Sequence, residues 1–338
     1  MDSSSVGHPV YPEARGASQA RSWTPGSFRR HSSIAEAVFR IVISLCAVTV
    51  LVIIGLIVFE LVRQSRLSLH TFGWKFFTSE SWDPVSGDFG AGPFVYGTLV
   101  SSAVALVIAV PLAVGLALYL NEMCPRWLRS PLAFTTDLLA AIPSVIYGLW
   151  AIFVLAPLLR KDVEPLLAKW LGWTGLFTGP KYGIGMLAAG VILAIMVIPI
   201  VSSITREVVA AVPQAQREAA LALGATRWEM IRMAVLRNAR AGILGAGILG
   251  LGRALGETMA VTMVIGNRPE ISKSLFAPGY TMASVIANEF SEATTSIYLS
   301  SLVEIGLALF AVTLIVNAIA YLLVWSVTRG APSRAHAG

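Results

Sequence analysis

The sequence predicts an all-α polytopic membrane protein with six transmembrane helices, and three observations carry that prediction. Of the 338 residues, 56% are hydrophobic and 13% charged, where a soluble domain carries roughly 25% charged residues. The mean hydropathy is +0.72. Apolar runs of about 20 residues, the length that crosses a hydrocarbon core of about 30 Å, recur along the chain. The length alone would also fit two soluble domains, but this composition excludes them.

A formal net charge of +6 and a pI near 9.5 would suggest a nucleic-acid partner in a soluble chain. No basic face interleaved with aromatics is present, and basic residues gather in the cytoplasmic loops of polytopic proteins. Nucleic acid is therefore excluded as a partner. Cys46 lies in the first apolar run and Cys124 in a short polar loop, while His8, His31, His70 and His336 are scattered. Disulfide, metal and nucleophile–base chemistry all lack support.

Residues 1–35 are rich in Ser, Gly, Pro and Arg without periodicity and read as a disordered cytoplasmic tail. The run that follows starts too late and is too long for a cleavable signal peptide. Apolar runs cover residues 38–61, 96–120, 132–158, 182–204, 242–265 and 300–327. Residues 36–93 hold the first helix and an outer loop whose Phe72, Trp74, Phe76, Phe77, Trp82 and Phe89 fit an interfacial belt. Residues 94–327 form the main transmembrane domain and 328–338 a second cytoplasmic tail. Pro111, Pro143 and Pro199 lie inside runs and are expected as kinks relieved by neighbouring helices. Asp137 in the third run either faces a wet cavity or pairs with a basic loop residue, the pairing being the favoured expectation. Glu304, at the start of the sixth run, is expected to be solvated near the outer surface.

Six crossings put both termini on one side. With the termini inside and Arg40 counted at the inner end of the first run, 15 Lys and Arg residues fall on the inner side and nine on the outer, with Arg253 alone deep inside a run. That bias places the termini in the cytoplasm.

Residues 206–230 read as a polar cytoplasmic elbow. Pro213 suits an opening helical turn, where a missing N–H costs nothing, and Gly224 is a natural stop. Thr226 with Glu229 three residues on is a capping box that restarts a helix at Arg227. Ala219, Ala220 and Leu223 then line one side of a helix-turn-helix bend, short enough in side chain to enter another protein's groove. The shape is one for docking, not catalysis.

In the fifth run Gly242, Ala246, Gly250, Ala254 and Thr258 recur every four residues, with Gly252, Gly256 and Ala260 on the neighbouring strip. Small residues at this spacing let another helix approach closely in lipid, whether from this chain or from a second subunit. Arg253 lies about 18 Å along a helix counted from Ala241, and Glu257 one turn further on the same face. Ionised side chains at that depth cost at least about 2.5–3.5 kcal/mol and face a partner or a wet pathway. They form either an ion pair with each other, or a site where arginine's planar fork meets a tetrahedral oxyanion and the glutamate holds or releases it.

Glu218-Ala219-Ala220 with Gly224 resembles the EAA loop of ABC importer permeases. The string Gly250-Leu251-Gly252-Arg253-Ala254-Leu255-Gly256-Glu257-Thr258, running on to Ile265-Gly266-Asn267, is similar to the PstC subunits of bacterial phosphate-specific (Pst) transporters. Leu138 to Trp150, including Ile142-Pro143-Ser144-Val145-Ile146-Tyr147-Gly148, and Ala287-Asn288-Glu289-Phe290 match the same subfamily. The resemblance covers residues 94–327. It implies a type I ABC importer permease fold with cytoplasmic EAA coupling helices, in the bacterial cytoplasmic membrane. It implies a PstA-like second permease, a homodimeric PstB-like ATPase that binds ATP and Mg, an external PstS-like phosphate-binding protein, and phosphate as cargo. Glu218, Ala219, Ala220 and Gly224 would couple to the ATPase. Arg253 and Glu257 would lie on the phosphate pathway, with Ser144 and Tyr147 as further pathway candidates. The chain itself would be no enzyme and hold no cofactor, in keeping with the lack of a Gly-rich phosphate loop. One departure stands out: the family's coupling segment usually closes with Leu-Pro, and here the pair is Leu236-Arg237. Three other readings are weighed against this one. A different oxyanion or organic cargo is disfavoured by the third- and fifth-run strings. An intramembrane enzyme using Asp137, Glu257 and Ser144 lacks the required spacing. A scaffold signalling phosphate supply is compatible with transport.

Overall fold

In the computed structural model, residues 32–329 are described, so most of both expected tails lies outside the described residues. The chain divides into two compact units, Met1–Leu56 and Ile57–Gly338. Helix α1 (Ser32–Gln64) begins in the first unit, and every residue from 36 to 56 is exposed, as for a helix that faces lipid on all sides.

The second unit continues with α2 (Arg66–Phe72) and a two-stranded ribbon, β1 (Trp82–Asp83) antiparallel to β2 (Asp88–Phe89). Then come α3 (Gly92–Leu118), α4 (Arg126–Ala141), α5 (Ser144–Thr174, interrupted by π-helical turns) and α6 (Met186–Ala210). The elbow is α7 (Gln214–Ala222) and α8 (Arg227–Met230). The chain closes with α9 (Arg237–Leu255), α10 (Met259–Thr262), α11 (Met282–Glu289) and α12 (Ser296–Arg329).

Among the described residues, five helices are long and apolar enough to cross a membrane: Glu36–Gln64, Gly92–Met123, Ser144–Thr174, Met186–Ala210 and Ser296–Ser326. The sixth expected span is not confirmed, because the fifth run is divided between α9 and α10. α9 opens on Arg237, Asn238 and Arg240, and Gly256 ends it before the apolar stretch is complete. The third run is also displaced. Pro143 pushes Ile142 into extended backbone (φ −67°, ψ 129°), so α4 stops at Ala141 and the crossing helix starts at Ser144.

α3 and α6 form the central seam. Ala105, Ala109, Ala113, Ala189, Ile192 and Val197 are buried along it, and a Cβ on Gly190 would lie 2.4 Å from Val104 Cγ1. α9 lies against α6: a Cβ on Gly242 would meet Val208 at 2.4 Å, and one on Gly250 would meet Val197 and Val201 at 2.8 and 2.7 Å. The four-residue small stripe is thus occupied by the chain's own α6. Gly245 and Gly252 on the neighbouring faces meet nothing within 4 Å.

The outer loop differs from an interfacial belt. Phe76 (0% exposed) and Phe89 (2%) are core residues, joined by Trp82, Phe94 and Tyr298 in edge-on and stacked contacts. Glu289 fixes this cluster by accepting from Trp82 Nε1 at 2.8 Å and from Tyr298 OH at 2.7 Å. Trp74, by contrast, is 88% exposed.

Candidate functional site

The break after α9 places the charged pair differently from a continuous helix. α9 ends at Leu255, and Glu257 belongs to the irregular link Gly256–Thr258 ahead of α10. Breaks of this kind occur at membrane depth where backbone is sheltered by protein or lines a cavity. Glu257 is 8% exposed and its Oε1 accepts weakly from the Ala260 amide at 3.4 Å, capping the first turn of α10. Its Oε2 is 3.8 Å from Arg253 Nη2. That is ion-pair distance but longer than a hydrogen bond, so the guanidinium keeps its donors. The Arg253 side chain is 40% exposed, and beside it Gly252 has no atom in the way while Gly256 meets only the Gly252 carbonyl at 3.7 Å. The carboxylate lies close enough to balance the charge, as the ion-pair reading expects, and the Arg253 fork is left partly open.

One of the third-run candidates, Tyr147, comes to the same place. A Cβ on Gly148 would lie 2.4 Å from Met263 Sδ and 3.2 Å from Ala260 Cα, so the glycine lets α5 pack closely on α10. This contact brings Tyr147 within electrostatic reach of Arg253. Tyr147 is buried and its hydroxyl donates to the Leu139 carbonyl at 2.8 Å, spanning the Ile142-Pro143 break and tying α5 to α4. Ser144, half-buried, opens α5. Arg253, Glu257 and Tyr147, 110 residues apart at the extremes, therefore share one locality.

The elbow has the form read from the sequence. α7 starts after Pro213, Gly224 adopts φ +84° where a side chain would be strained, and Thr226 with Glu229 makes the reciprocal capping box. Two bonds from Thr226, from its amide and its hydroxyl, hold the Glu229 carboxyl below its ordinary range. Glu218, Ala219 and Gly224 are exposed, and Ala220 is half-buried against the core below. Leu223 stands 89% exposed. Ala219, Ala220, Leu223, Gly224, Glu229 and Met233 line an open hollow of about 540 Å³.

Several long-range contacts that anchor the elbow carry no local sequence signal. Arg217 donates to the Val209 carbonyl at 2.8 Å, to the Val212 carbonyl, and to Glu122 Oε1 at 3.0 Å. Asn121 donates to the Arg206 carbonyl at 2.7 Å and accepts from Arg129 on α4. Arg206 pairs with Asp137 at 3.1 Å, which fulfils the expected pairing of that aspartate. Asn238 reaches from α9 to Gln216 of α7 at 2.6 Å. At Leu236-Arg237 the missing proline leaves the helix unbroken: a π-helical segment, Ile231–Leu236, runs straight into α9. Glu304, expected in solvent, is instead fully buried (0%), because α2 lies across that turn of α12.

Residues 109–329 match the family described as binding-protein-dependent transport system inner membrane component. A phosphate transport system permease protein PstC of Mesorhizobium japonicum is 49% identical over 295 residues, covering 86% of this chain and 90% of that protein. A PstC of Xylella fastidiosa strain 9a5c is 44% identical over 310 residues, covering 90% and 95% respectively. Among solved structures, a bacterial ABC transporter involved in the import of the acidic polysaccharide alginate matches with a TM-score of 0.57 at 17% identity. That match covers 88% of this chain and 97% of the other, and at such identity it shows the fold alone.

Proposed function

The chain belongs to the PstC family of binding-protein-dependent inner-membrane permeases, and we propose that with a second, PstA-like permease it forms the pathway of an ATP-driven importer of inorganic phosphate. In this reading Arg253 offers its open fork to the phosphate oxygens, and Glu257 limits how tightly the anion is held. Tyr147 and Ser144 border the same locality. The observation that supports the reading is the packing of α5 on α10 through Gly148, next to a half-exposed arginine beside a broken helix.

The elbow is the mechanical input. Glu218, Ala219, Ala220 and Gly224 seat in a groove of a PstB-like ATPase dimer, which binds ATP and Mg, while a PstS-like protein delivers phosphate from outside. The chain itself holds no cofactor and carries out no reaction, and both termini are cytoplasmic. Motion of the elbow passes through Arg217 and Glu122 to the end of α3, through Asn238 to α9, and through Arg206 and Asp137 to α4. Uptake of labelled phosphate by the assembled transporter, with sulfate, molybdate and arsenate as competitors, tests the cargo. Competition by arsenate alone is expected, and equal competition by sulfate refutes phosphate as the selected anion.

A further inference from the structure

Glu304 takes no part in the pathway or the elbow. It lies eight residues into α12, about 12 Å from the start of that helix, and neither of its carboxyl oxygens has a hydrogen-bond partner. Ser65, Ser68, Ser300 and Ser301 are buried at the same seam between α2 and α12. Each hydroxyl has one proton to give, and all four are spoken for. Ser301 donates to the Ile297 carbonyl at 2.8 Å, Ser300 to the Gln64 carbonyl at 2.8 Å, and Ser65 to the Val62 carbonyl at 3.3 Å. Ser68 Oγ and Ser301 Oγ are 3.1 Å apart. With the Ser301 proton already used, Ser68 is the donor of that bond. Ser68 Oγ is left with a lone pair but no proton, and Glu304 lies one turn beyond Ser300 and Ser301 on the same side of α12.

Cations do not supply the difference. α12 packs against α2, α3, α9 and α11. On α2, Arg66 and His70 are exposed, and Arg63 just before it is turned to Glu60 at 2.8 Å. α3 has no charged residue. On α9, Arg253 faces Glu257, while Arg237 and Arg240 belong to its first turn beside the elbow. On α11, Glu289 is engaged by Trp82 and Tyr298. An ionised carboxylate in this setting would be a buried charge with no compensating group, among the costliest arrangements a protein interior offers.

We propose that Glu304 is a proton-binding site: its carboxyl is carried as the neutral acid, donates to Ser68 Oγ, and completes a chain from Glu304 through Ser68 and Ser301 to the Ile297 carbonyl that fastens α2 to α12. Removal of the proton buries a charge and opens the seam. The site is independent of the phosphate pathway, so its test stands apart from the test of cargo.

The experiment uses the complete transporter in lipid nanodiscs, with infrared spectroscopy in the protonated-carboxyl region and thermal unfolding followed from neutral to alkaline pH. The wild type is expected to show a protonated-carboxyl band at neutral pH and a midpoint that falls as pH rises. Glu304→Gln, whose amide donates to the same lone pair and never ionises, is expected to lose that band, assemble normally and lose the alkaline fall. Ser68→Ala removes the acceptor together with the bond to Ser301 and is expected to shift the band towards that of an unbonded acid. A band absent from the wild type, or unchanged in Glu304→Gln, overturns the proposal. So does a Glu304→Gln protein that fails to assemble while Glu304→Asp assembles, since that pattern requires a charge.

Discussion

Replacing Arg217 by Met leaves Glu122 buried without its partner at the point where the elbow meets α3. Their side chains are 13% and 9% exposed and 3.0 Å apart, and Arg217 also holds the carbonyls of Val209 and Val212. Losing one member of a buried pair costs about 3–5 kcal/mol. Because each group keeps some contact with water, the low end applies, about 3 kcal/mol or roughly a hundredfold in the equilibrium between docked and undocked elbow. Amide hydrogen exchange reads this directly. The bonds from Gly224 to Leu221 and from Ala225 to Ala220 should lose about a hundredfold of protection in Arg217→Met, with phosphate uptake falling while basal ATP hydrolysis persists. The double variant Arg217→Met/Glu122→Leu removes the orphaned carboxylate and should recover part of the protection. Unchanged exchange in the single variant, in a normally assembled complex, refutes the anchoring role.

Two further outcomes are expected. Gly97→Ala would set a Cβ 2.0 Å from the Tyr280 carbonyl oxygen, backbone against backbone, and should abolish accumulation of folded protein. Gly245→Ala, with nothing within 4 Å, should accumulate normally, and equal levels of the two variants would contradict the packing. In the elbow, the Glu229 carboxyl is held below its ordinary value of 4.5, so its capping contribution is complete above that value and is lost as pH falls through the lower folded one. Exchange protection of the Glu229 amide should drop in that acidic window in the wild type and stay flat in Glu229→Gln. A wild-type profile as flat as the variant's refutes the capping box.

The elbow was legible because each of its features is local: Pro213, Gly224, and the pair Thr226 and Glu229 act within one or two turns. The identity of the charged site was legible for the same reason, since Arg253 and Glu257 are charges in an apolar run. Where helices stop was harder to read. Hydropathy registers Ile142-Pro143 and Gly256 as part of continuous apolar runs, although the proline's effect on its predecessor and the missing Cβ at Gly256 both mark ends. Partners far apart in the chain were not legible at all. Nothing near Arg217 points to Glu122, 95 residues away, and nothing near Glu304 shows that α2 will cover it. The small stripe of α9 had two equally good partners in the sequence, and Val197, Val201 and Val208 of α6 decide between them.

Uptake of labelled phosphate by proteoliposomes containing Arg253→Gln, with ATPase-subunit retention measured on the same sample, addresses the pathway directly. Glutamine keeps polar donors but neither the charge nor the fork. The site described here predicts an intact complex that still hydrolyses ATP and moves no phosphate. Uptake at the wild-type rate would mean that the anion passes elsewhere.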